Sequence, residues 1–225
     1  MKSAILVHGH HLFADNWQGI VWGDPHNGVY GRVPTGLREA LRFDADLIIF
    51  PTGSSKKDGL FDGEYALKVA RERIAEIPEF ADMSAQKARA WLDNRAVAET
   101  TSQNTREEVI ASGQLALARG VERLVQVSSP THIMRAHRDA LAAFFKDETL
   151  RPLLRGLYAI ASDVGYSASV DDVLIIEPRH RPDRPKIPFN GTLKDIFLFN
   201  DRPDLAEELN TEFVRVFGEF KKRLR

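Results

Sequence analysis

The 225-residue chain contains no cysteine. This absence excludes disulfide bonds, thiolate zinc sites and cysteine nucleophiles, and it fits a reducing compartment. No stretch approaches the ~18 uninterrupted apolar residues of a membrane-spanning helix. The apolar run in the N-terminal segment MKSAILVHG is too short for a signal peptide. We therefore expect a cytoplasmic protein without a membrane partner.

The sequence also lacks an excess of charge of either sign. Its 31 basic and 32 acidic residues give a formal net charge of −1 and are spread along the chain. Such a chain has no global field to hold a nucleic-acid backbone, so we do not expect a nucleic-acid partner. Hydrophobic residues make up 43% and charged residues 28% of the chain, which is typical of a globular protein. A core of ordinary size must therefore stabilise it.

Short apolar runs alternate with longer segments of helical period, which is typical of βαβ units around a parallel sheet. The pattern predicts one domain over residues 1–225, with a Rossmann-like three-layer α/β fold, a mostly parallel sheet and helices on both faces. The predicted strands are Ala4–His8, Asp46–Phe50, Ala96–Glu99, Leu124–Ser128, Leu157–Ala161 and Val173–Glu177. Five predicted helices are Thr35–Arg42, Glu64–Ile77, Ala85–Leu92, Thr105–Arg119 and Pro130–Phe145. A last predicted helix has an apolar stripe that is expected to pack on the sheet, formed by Leu205, Leu209, Phe213, Phe217 and Phe220.

Two connections are longer than a compact α/β fold needs. Residues 9–34 carry Trp17 and Trp22, and residues 178–194 are rich in proline, arginine and lysine. Loops beyond ~12–15 residues are usually functional or disordered, and we expect both to cover a pocket at the strand ends. The tryptophans either stack on a planar ligand group or fill a small core under the loop. The second loop either closes over an anion or is a solvated basic segment.

The end of the first strand, VHGHH, is unusually polar. In an open parallel sheet, ligands bind outside the carboxyl ends of the strands, where helix N-termini present unpaired N–H groups. Gly9 permits a tight turn and close ligand approach, and His8, His10 and His11 surround it. Adjacent strand residues point to opposite faces, and no carboxylate stands at metal-ligand spacing. We therefore expect hydrogen-bonding or acid–base histidines and no metal.

The second strand end, PTGSSKKDG, offers backbone N–H groups and hydroxyls at Gly53 and Ser54. These donors can cradle a phosphate or carboxylate. The segment is neither a Walker loop nor a GxGxxG fingerprint, and an ordinary Gly/Ser turn is the equal alternative.

The third strand end is followed by ETTSQNTREE. Asn104 is expected to cap the next helix, with Glu107 closing a capping box. This leaves unexplained why Glu99 ends the strand and why polar residues such as Ser102 follow it. We interpret Glu99 as a candidate general acid/base or as an acceptor for a ligand hydroxyl.

The fourth segment, VSSPTHIMRAH, has the best helix-start signal in the chain, with Ser129 as N-cap and Pro130 at the first helical position. His132 then falls in the first turn, and Arg135 lies on the same helix face. Together they predict an anion site with a titratable group. The alternative for His132 is a core histidine satisfied by backbone. His137 is expected at the surface.

In this order, VHGH, PTGSS, ETTSQNT and VSSPTHIMRA resemble the YdcF-like and SanA-like family of bacterial proteins, long labelled a domain of unknown function. The resemblance covers approximately Lys2 to Ala161. It implies a Rossmann-like sheet with a pocket at the strand ends. The polar site residues that it implies are Gly9, Gly53, Glu99, Ser102, Asn104, Thr105, His132 and Arg135.

Some members of this family carry an N-terminal membrane anchor. Because this chain begins inside its first predicted strand, it resembles the soluble branch, for which the resemblance implies S-adenosylmethionine as a ligand. The chain departs from the family pattern at His8 and His10, where relatives usually have small residues, and in its two tryptophans. These departures indicate a distinct ligand.

These observations predict an enzyme of hydrolase or lyase type, independent of metals, that acts by acid–base chemistry on a small anionic metabolite, nucleotide-like or phosphorylated. The expected proton-transfer residues are Glu99, His132 and His8. The expected ligand-binding residues are Gly9, His10, Trp17, Gly53, Ser54, Ser102, Asn104, Thr105, Ser128 and Arg135. The alternative is a non-catalytic module that binds S-adenosylmethionine or another nucleotide.

Overall fold

The computed structural model describes residues 1–165 and 203–223. The chain divides into two compact units, Met1–Val173 and Leu174–Arg225. The predicted strand Val173–Glu177 and the predicted loop 178–194 lie outside the described residues. The single domain over residues 1–225 stays a prediction.

The first unit is built on a five-stranded sheet in which every strand is parallel to its neighbours. Its strands are β1 (Ser3–Val7), β2 (Leu47–Phe50), β3 (Ala96–Ala98), β4 (Arg123–Ser128) and β5 (Leu157–Ala161). Their order across the sheet is β3-β2-β1-β4-β5. In the register of the central strands, Ile5 lies beside Ile48 of β2 and Val125 of β4. Five predicted strands are confirmed, with ends displaced by at most one residue.

Six helices surround this sheet. They are α1 (Trp17–Val21), α2 (Arg32–Arg42), α3 (Asp62–Arg73), α4 (Ala85–Asp93), α5 (Thr105–Ala118) and α6 (Pro130–Lys146). The predicted end of the second helix at Ile77 is wrong, because the chain tightens into a 3-10 turn, Ile74–Glu76, after α3. Of the second unit, the structure describes a helix, Pro203–Arg223, where the last helix is predicted. Packing of its apolar stripe on the sheet stays a prediction.

Alternate residues of the central strands enter two separate cores. Ile5, Ile48 and Val125 belong to one core and Leu6 and Ile49 to the other. A strand buried on both faces reads as a continuous apolar run, which is why these strands were visible in the sequence. The two cores on opposite faces confirm the three-layer, Rossmann-like α/β architecture.

The segment between β1 and α2 is not the open loop that the sequence predicts. It contains α1 and a small hairpin formed by Gly23–Asp24 and Val29–Tyr30. Helix α2 begins at Arg32, three residues before the predicted Thr35. Pro34 lies within its first turn, where proline is tolerated because the N–H groups there have no helical partner.

The two tryptophans of this segment are buried. Trp17 is 8% exposed and Trp22 is 0% exposed, and both belong to the core on the α2 side of the sheet. The structure therefore supports the alternative in which these side chains fill a core. Trp17 also donates from Nε1 to the carbonyl of His10, at 3.0 Å, and so holds the turn after β1.

The position of the strand-end crevice follows from the strand order. β1 lies between β2 and β4, so the chain changes direction across the sheet between β1 and β4. In doubly wound sheets the crevice at such a switch point is where ligands bind. His8 and Ser129 follow β1 and β4 directly at this place.

No helix in the described ranges is long and apolar enough to cross a membrane.

Candidate functional site

The guanidinium of Arg32 lies buried between the ends of β1 and β4. The residue is 4% exposed. Its Nε and Nη2 donate to the hydroxyl of Ser129, at 2.8 and 2.6 Å, and its Nη1 donates to the carbonyls of Gly9 and His8. A hydroxyl and two carbonyls are neutral acceptors. They fix the side chain without cancelling its charge.

Arg32 forms no ion pair with a carboxylate of residues 1–165 or 203–223. Burial lowers the pKa of Arg32 to about 10, although the negative charge of Glu108 opposes this effect, and the positive charge of Arg135 adds to it. A guanidinium at this pKa is still charged at neutral pH. Glu108 acts on Arg32 only through its charge, and a buried cation without an ion-pair partner among the described residues favours an anion beside it.

His132 lies beside this cation in the first turn of α6. Its Nδ1 is 2.8 Å from the hydroxyl of Ser128, and its Nε2 is 3.2 Å from the hydroxyl of Thr105. The ring of His8 meets it edge-on, with 5.6 Å between centroids and 77° between planes. The two ring nitrogens of His132 thus contact hydroxyls. They do not contact backbone groups, as the alternative of a core histidine predicts. The structure brings His8, Thr105, Ser128 and His132 together.

The imidazole of His132 is electrically neutral at ordinary pH. Burial lowers its pKa to about 2, and the positive charges of Arg32 and Arg135 act in the same direction. A neutral imidazole has a lone pair on one nitrogen. His132 can therefore accept a proton or a hydrogen bond inside an otherwise cationic site.

His10 provides a second neutral imidazole on the turn after β1. Burial lowers its pKa to about 4, with smaller contributions from the charges of Arg32 and His11. Its ring makes no hydrogen bond or ion pair to a described residue. It is the histidine near Arg32 with both ring nitrogens available.

Arg135 lies one turn further along α6, as the sequence predicts, and it is exposed. Its charge acts on both Arg32 and His132. It has no hydrogen bond or ion pair with a described residue. Two guanidiniums without carboxylate partners therefore face the start of a 17-residue helix, whose N-terminus itself favours anions.

The hydroxyl of Ser129 does not have its predicted role. Ser129 occupies the N-cap position and Pro130 the first helical position, but the Ser129 side chain makes no cap hydrogen bond. Its hydroxyl accepts from Arg32 instead. Its carbonyl accepts from the backbone of His132 and Ile133. Arg32 was absent from the predicted site residues, because α2 was expected to begin after it.

Gly9 is closely packed against Thr52 and Glu108. A Cβ at this position would lie 3.2 Å from Cβ of Thr52 and 3.3 Å from a carboxylate oxygen of Glu108. A cavity of about 10 Å³ beside this turn is lined by Trp17, among others, and its volume suits about one water molecule.

Glu99 is 8% exposed, and its carboxylate is surrounded by donors from its own loop. It accepts from the backbone N–H and hydroxyl of Thr101, at 2.6 and 2.5 Å, and from those of Ser102, at 2.9 and 2.5 Å. Burial favours the neutral acid, but these hydrogen bonds outweigh it and hold the pKa of Glu99 below its ordinary value. This geometry is that of a carboxylate that organises a loop.

The loop after β2 also uses its polar groups internally. The N–H of Gly53 donates to the carbonyl of Ser102, at 2.8 Å. Ser54 and the backbone and hydroxyl of Ser55 donate to the buried carboxylate of Asp62, at the start of α3. The structure supports the alternative of an ordinary turn over that of a phosphate cradle.

Asn104 caps α5 as predicted. Its side chain accepts from the N–H of Glu107 at 3.0 Å. The Glu107 carboxylate reaches back to the Asn104 amide, at 2.7 Å, and to the N–H of Gln103, at 2.8 Å. This is a variant of the predicted capping box. Asn104 is exposed, and its contacts explain it fully.

Three buried residues that the sequence analysis did not select support the end of β1. Glu108 of α5 contacts the His8 ring, Gln126 of β4 contacts its other side, and Thr52 after β2 donates to Glu108. Thr52 has φ of +92°, which is strained for a β-branched residue. Glu108 shares a helix face with Ser112 and Ala116, at four-residue spacing, which was the available signal for its burial. His137 is partly exposed, and its ring contacts Gln126 at 3.2 Å.

The described residues do not fit S-adenosylmethionine. Its sulfonium group is a cation, which Arg32 and Arg135 repel. The carboxylates of Glu99 and Asp62 already accept hydrogen bonds from their own loops, so they are not available to ribose hydroxyls.

Among residues 1–165 and 203–223, no group of three or more histidine, aspartate or glutamate side chains is arranged to hold a metal ion.

Comparison of the chain with protein-family models, curated proteins and solved structures finds no match. The function is therefore inferred from the residues of the site itself.

Proposed function

We propose that this protein is an enzyme that acts by acid–base chemistry on a small anionic metabolite, phosphorylated or nucleotide-like, and that it belongs to the YdcF-like family that its four motifs resemble. The observation that carries the proposal is the pairing of a buried Arg32, which forms no ion pair with a described carboxylate, with a neutral His132 at the switch point of the sheet. One group binds negative charge and the other can move a proton.

Charge supports a phosphate-bearing ligand. Arg32 and Arg135 provide two guanidiniums without carboxylate partners among the described residues, and guanidinium matches phosphate geometry. The N-terminus of α6 adds partial positive charge of ~0.5 elementary unit. A ligand with two negative charges balances this set better than a singly charged carboxylate does.

His132 is the proposed general base in the ligand-bound protein, where the negative charge of the ligand raises its pKa above the value in the free protein. In hydrolysis it takes a proton from the attacking water and then returns that proton to the leaving oxygen. In elimination it removes a proton from carbon, the carbon–carbon double bond forms as the bond from the neighbouring carbon to the leaving oxygen breaks, and the imidazolium returns its proton to that oxygen. Glu99 is a weaker candidate than the sequence indicates, because its oxygen atoms already accept hydrogen bonds from the protein.

A second candidate function is a non-catalytic module that binds a nucleotide or another phosphate ester. The specific observation in its favour is that both ring nitrogens of His132 already contact protein hydroxyls. A histidine with this role would orient Ser128 and Thr105 and transfer no proton. A panel of phosphate esters separates the two functions, because turnover that is lost in His132→Asn while binding remains supports catalysis.

The first test is calorimetry and thermal unfolding of the full chain with inorganic phosphate, nucleotides, sugar phosphates and S-adenosylmethionine. A ligand at ~100 times its Kd adds roughly 2.7 kcal/mol of stability. We expect phosphate or phosphate esters to bind, and binding to be lost in Arg32→Met. Arg89→Met, an exposed arginine of α4, is the matched control. Equal phosphate binding by wild type and Arg32→Met would overturn the proposed anion site.

A further inference from the structure

A chain of buried polar contacts runs beneath the proposed site. The carboxylate of Glu108 accepts from the hydroxyl of Thr52 and lies 2.7 Å from Nδ1 of His8. The other ring nitrogen of His8 lies 3.0 Å from Oε1 of Gln126. The side chains come from four different elements. Such a network is retained only where each member is satisfied by its neighbours.

The contact between Glu108 and His8 fixes the His8 ring. An ionised carboxylate can only accept hydrogen bonds, so Nδ1 of His8 carries a proton. Burial alone would raise the pKa of Glu108, but the hydrogen bonds from His8 and Thr52 and the charge of Arg32 outweigh burial and lower it. The acid is therefore ionised at neutral pH. The side chain of His8 is 0% exposed and that of Glu108 is 7% exposed, so solvent does not compete.

His8 in turn limits the position of His132. The two rings are in edge-to-face contact, with centroids 5.6 Å apart. His132 also contacts Ser128 and Thr105, and the charges of Arg32 and Arg135 act on it. A rotation of the His8 ring would therefore displace the imidazole that faces these hydroxyls.

We propose that Glu108 is a positioning residue, whose carboxylate fixes the orientation of His8 and, through the contact between the two rings, the orientation of His132. The relevance of this inference to catalysis rests on the proposed function, but the fixed orientation of the two rings does not depend on it. The Glu108 side chain is buried against His8 and Thr52, so it acts through His8.

The test is long-range proton–nitrogen NMR of the histidine rings in the full, nitrogen-15-labelled chain at neutral pH. In wild type we expect His8 to show a protonated Nδ1 and His132 to show a single tautomer. In Glu108→Gln we expect the Nδ1 proton signal of His8 to weaken and the ring-nitrogen shifts of His132 to move. Glu39→Gln is the matched control, because Glu39 is another buried glutamate, which pairs with Arg42 on α2 and not with a histidine. It should leave both rings unchanged.

A second pair of variants guards against simple misfolding of Glu108→Gln. Thr52→Val removes the hydroxyl that donates to Glu108 at nearly constant shape, and Thr52→Ser keeps it. In Thr52→Val we expect the ring signals of His8 and His132 to change in the same direction as in Glu108→Gln, but by less. In Thr52→Ser we expect them to stay as in wild type. Unchanged His132 signals in a folded Glu108→Gln would overturn the proposal.

Binding of inorganic phosphate separates positioning from a general structural role. Glu108→Gln removes a negative charge that acts on Arg32, so we expect its phosphate affinity to stay within about threefold of wild type or to increase. With a turned-over ester, kcat should fall by at least about tenfold and KM should change little. A matched loss of phosphate binding and of folding stability would show that Glu108 only maintains the structure. Failure of wild type to bind phosphate would instead contradict the proposed function and leave the NMR result standing.

Discussion

The loops after β2 and β3 differ from the ends of β1 and β4 in what their polar groups contact. After β2 and β3, the carboxylates of Asp62 and Glu99 accept from serine, threonine and backbone donors of the same loops. After β1 and β4, Arg32 donates to neutral acceptors. The ring of His10 makes no hydrogen bond or ion pair with a described residue. Both regions are rich in polar residues in the sequence.

This difference shows why polar residues at strand ends do not by themselves indicate a site. A carboxylate with several donors is satisfied, and its hydrogen bonds stabilise the loop. A cation with neutral acceptors keeps its charge and still attracts an anion. We infer that the first region maintains the edge of the sheet and that the second binds the ligand.

The largest expected effect is that of Gly53→Ala on the interlocked loops. An added Cβ would lie 1.9 Å from the carbonyl oxygen of Thr100. We expect a loss of about 3 kcal/mol or more in the free energy of unfolding, because backbone must move. Urea unfolding measures it. Gly59→Ala is the control, since its Cβ meets nothing within 4 Å and only a left-handed φ disfavours it, by ~1–2 kcal/mol. Equal losses would contradict the packing role.

The second prediction separates Glu99 from the binding region. Glu99→Gln weakens charge-assisted hydrogen bonds with Thr101 and Ser102, which contribute roughly 1.5–3 kcal/mol each at most, so we expect a loss of about 2 kcal/mol in unfolding free energy. Phosphate affinity, measured by calorimetry, should stay unchanged. A stable Glu99→Gln protein whose turnover falls ~10²-fold or more would instead support the general acid/base predicted from the sequence.

The third prediction concerns pH and the neutral state of His132. Its pKa is about 2 in the folded protein, against an ordinary value of 6.5. At a pH below 6.5, His132 binds a proton in the unfolded chain but not in the folded protein. The contribution of His132 to the free energy of unfolding is therefore full above pH 6.5 and decreases as the pH falls towards the pKa of the folded protein. The slope from this group is up to about 1.4 kcal/mol per pH unit.

Urea unfolding at about pH 7 and about pH 5 measures this slope. His132→Asn should show a shallower loss of stability over this range than wild type does. His26→Asn, at an exposed position in the hairpin, is the control and should keep the wild-type slope. Identical slopes in all three proteins would show that His132 is protonated in the folded state.

The smallest expected effect is that of Arg135→Gln. Arg135 is exposed, so its contribution to anion binding is screened by salt. We expect phosphate affinity to fall by about three- to tenfold at low salt and by less at high salt. Calorimetry at two ionic strengths measures this, with Arg32→Met as the comparison, whose larger loss should persist at high salt. A larger loss in Arg135→Gln would reverse the proposed ranking of the two cations.

Much of the fold was predictable because the signals are local. The strands β1 and β2 contain continuous apolar runs, and such runs identify strands buried on both faces. The start of α6 followed from Ser129 and Pro130, and the start of α5 from Asn104. The start of α2 was missed, because Pro34 was read as the end of a loop although proline also occurs in a first turn.

The candidate site was predictable in place but not in composition. His8, Ser128, Thr105 and His132 meet as expected at the switch point. Arg32, Glu108 and Gln126 were missed, because the burial of a polar side chain depends on contacts between elements far apart in sequence. His8 and Gln126, for example, are 118 residues apart.

The sequence by itself determined the strands, the helices and the edge of the sheet at which polar residues gather, because hydrophobic period and helix-start signals act over a few residues. Only the tertiary structure decided which of those polar groups satisfy one another and which keep a charge or a lone pair. Glu99 and Arg32 illustrate this, since both have buried polar side chains at this edge of the sheet. Their difference is set by partners, Ser102 in one case and Ser129 in the other, that the fold places within hydrogen-bonding distance.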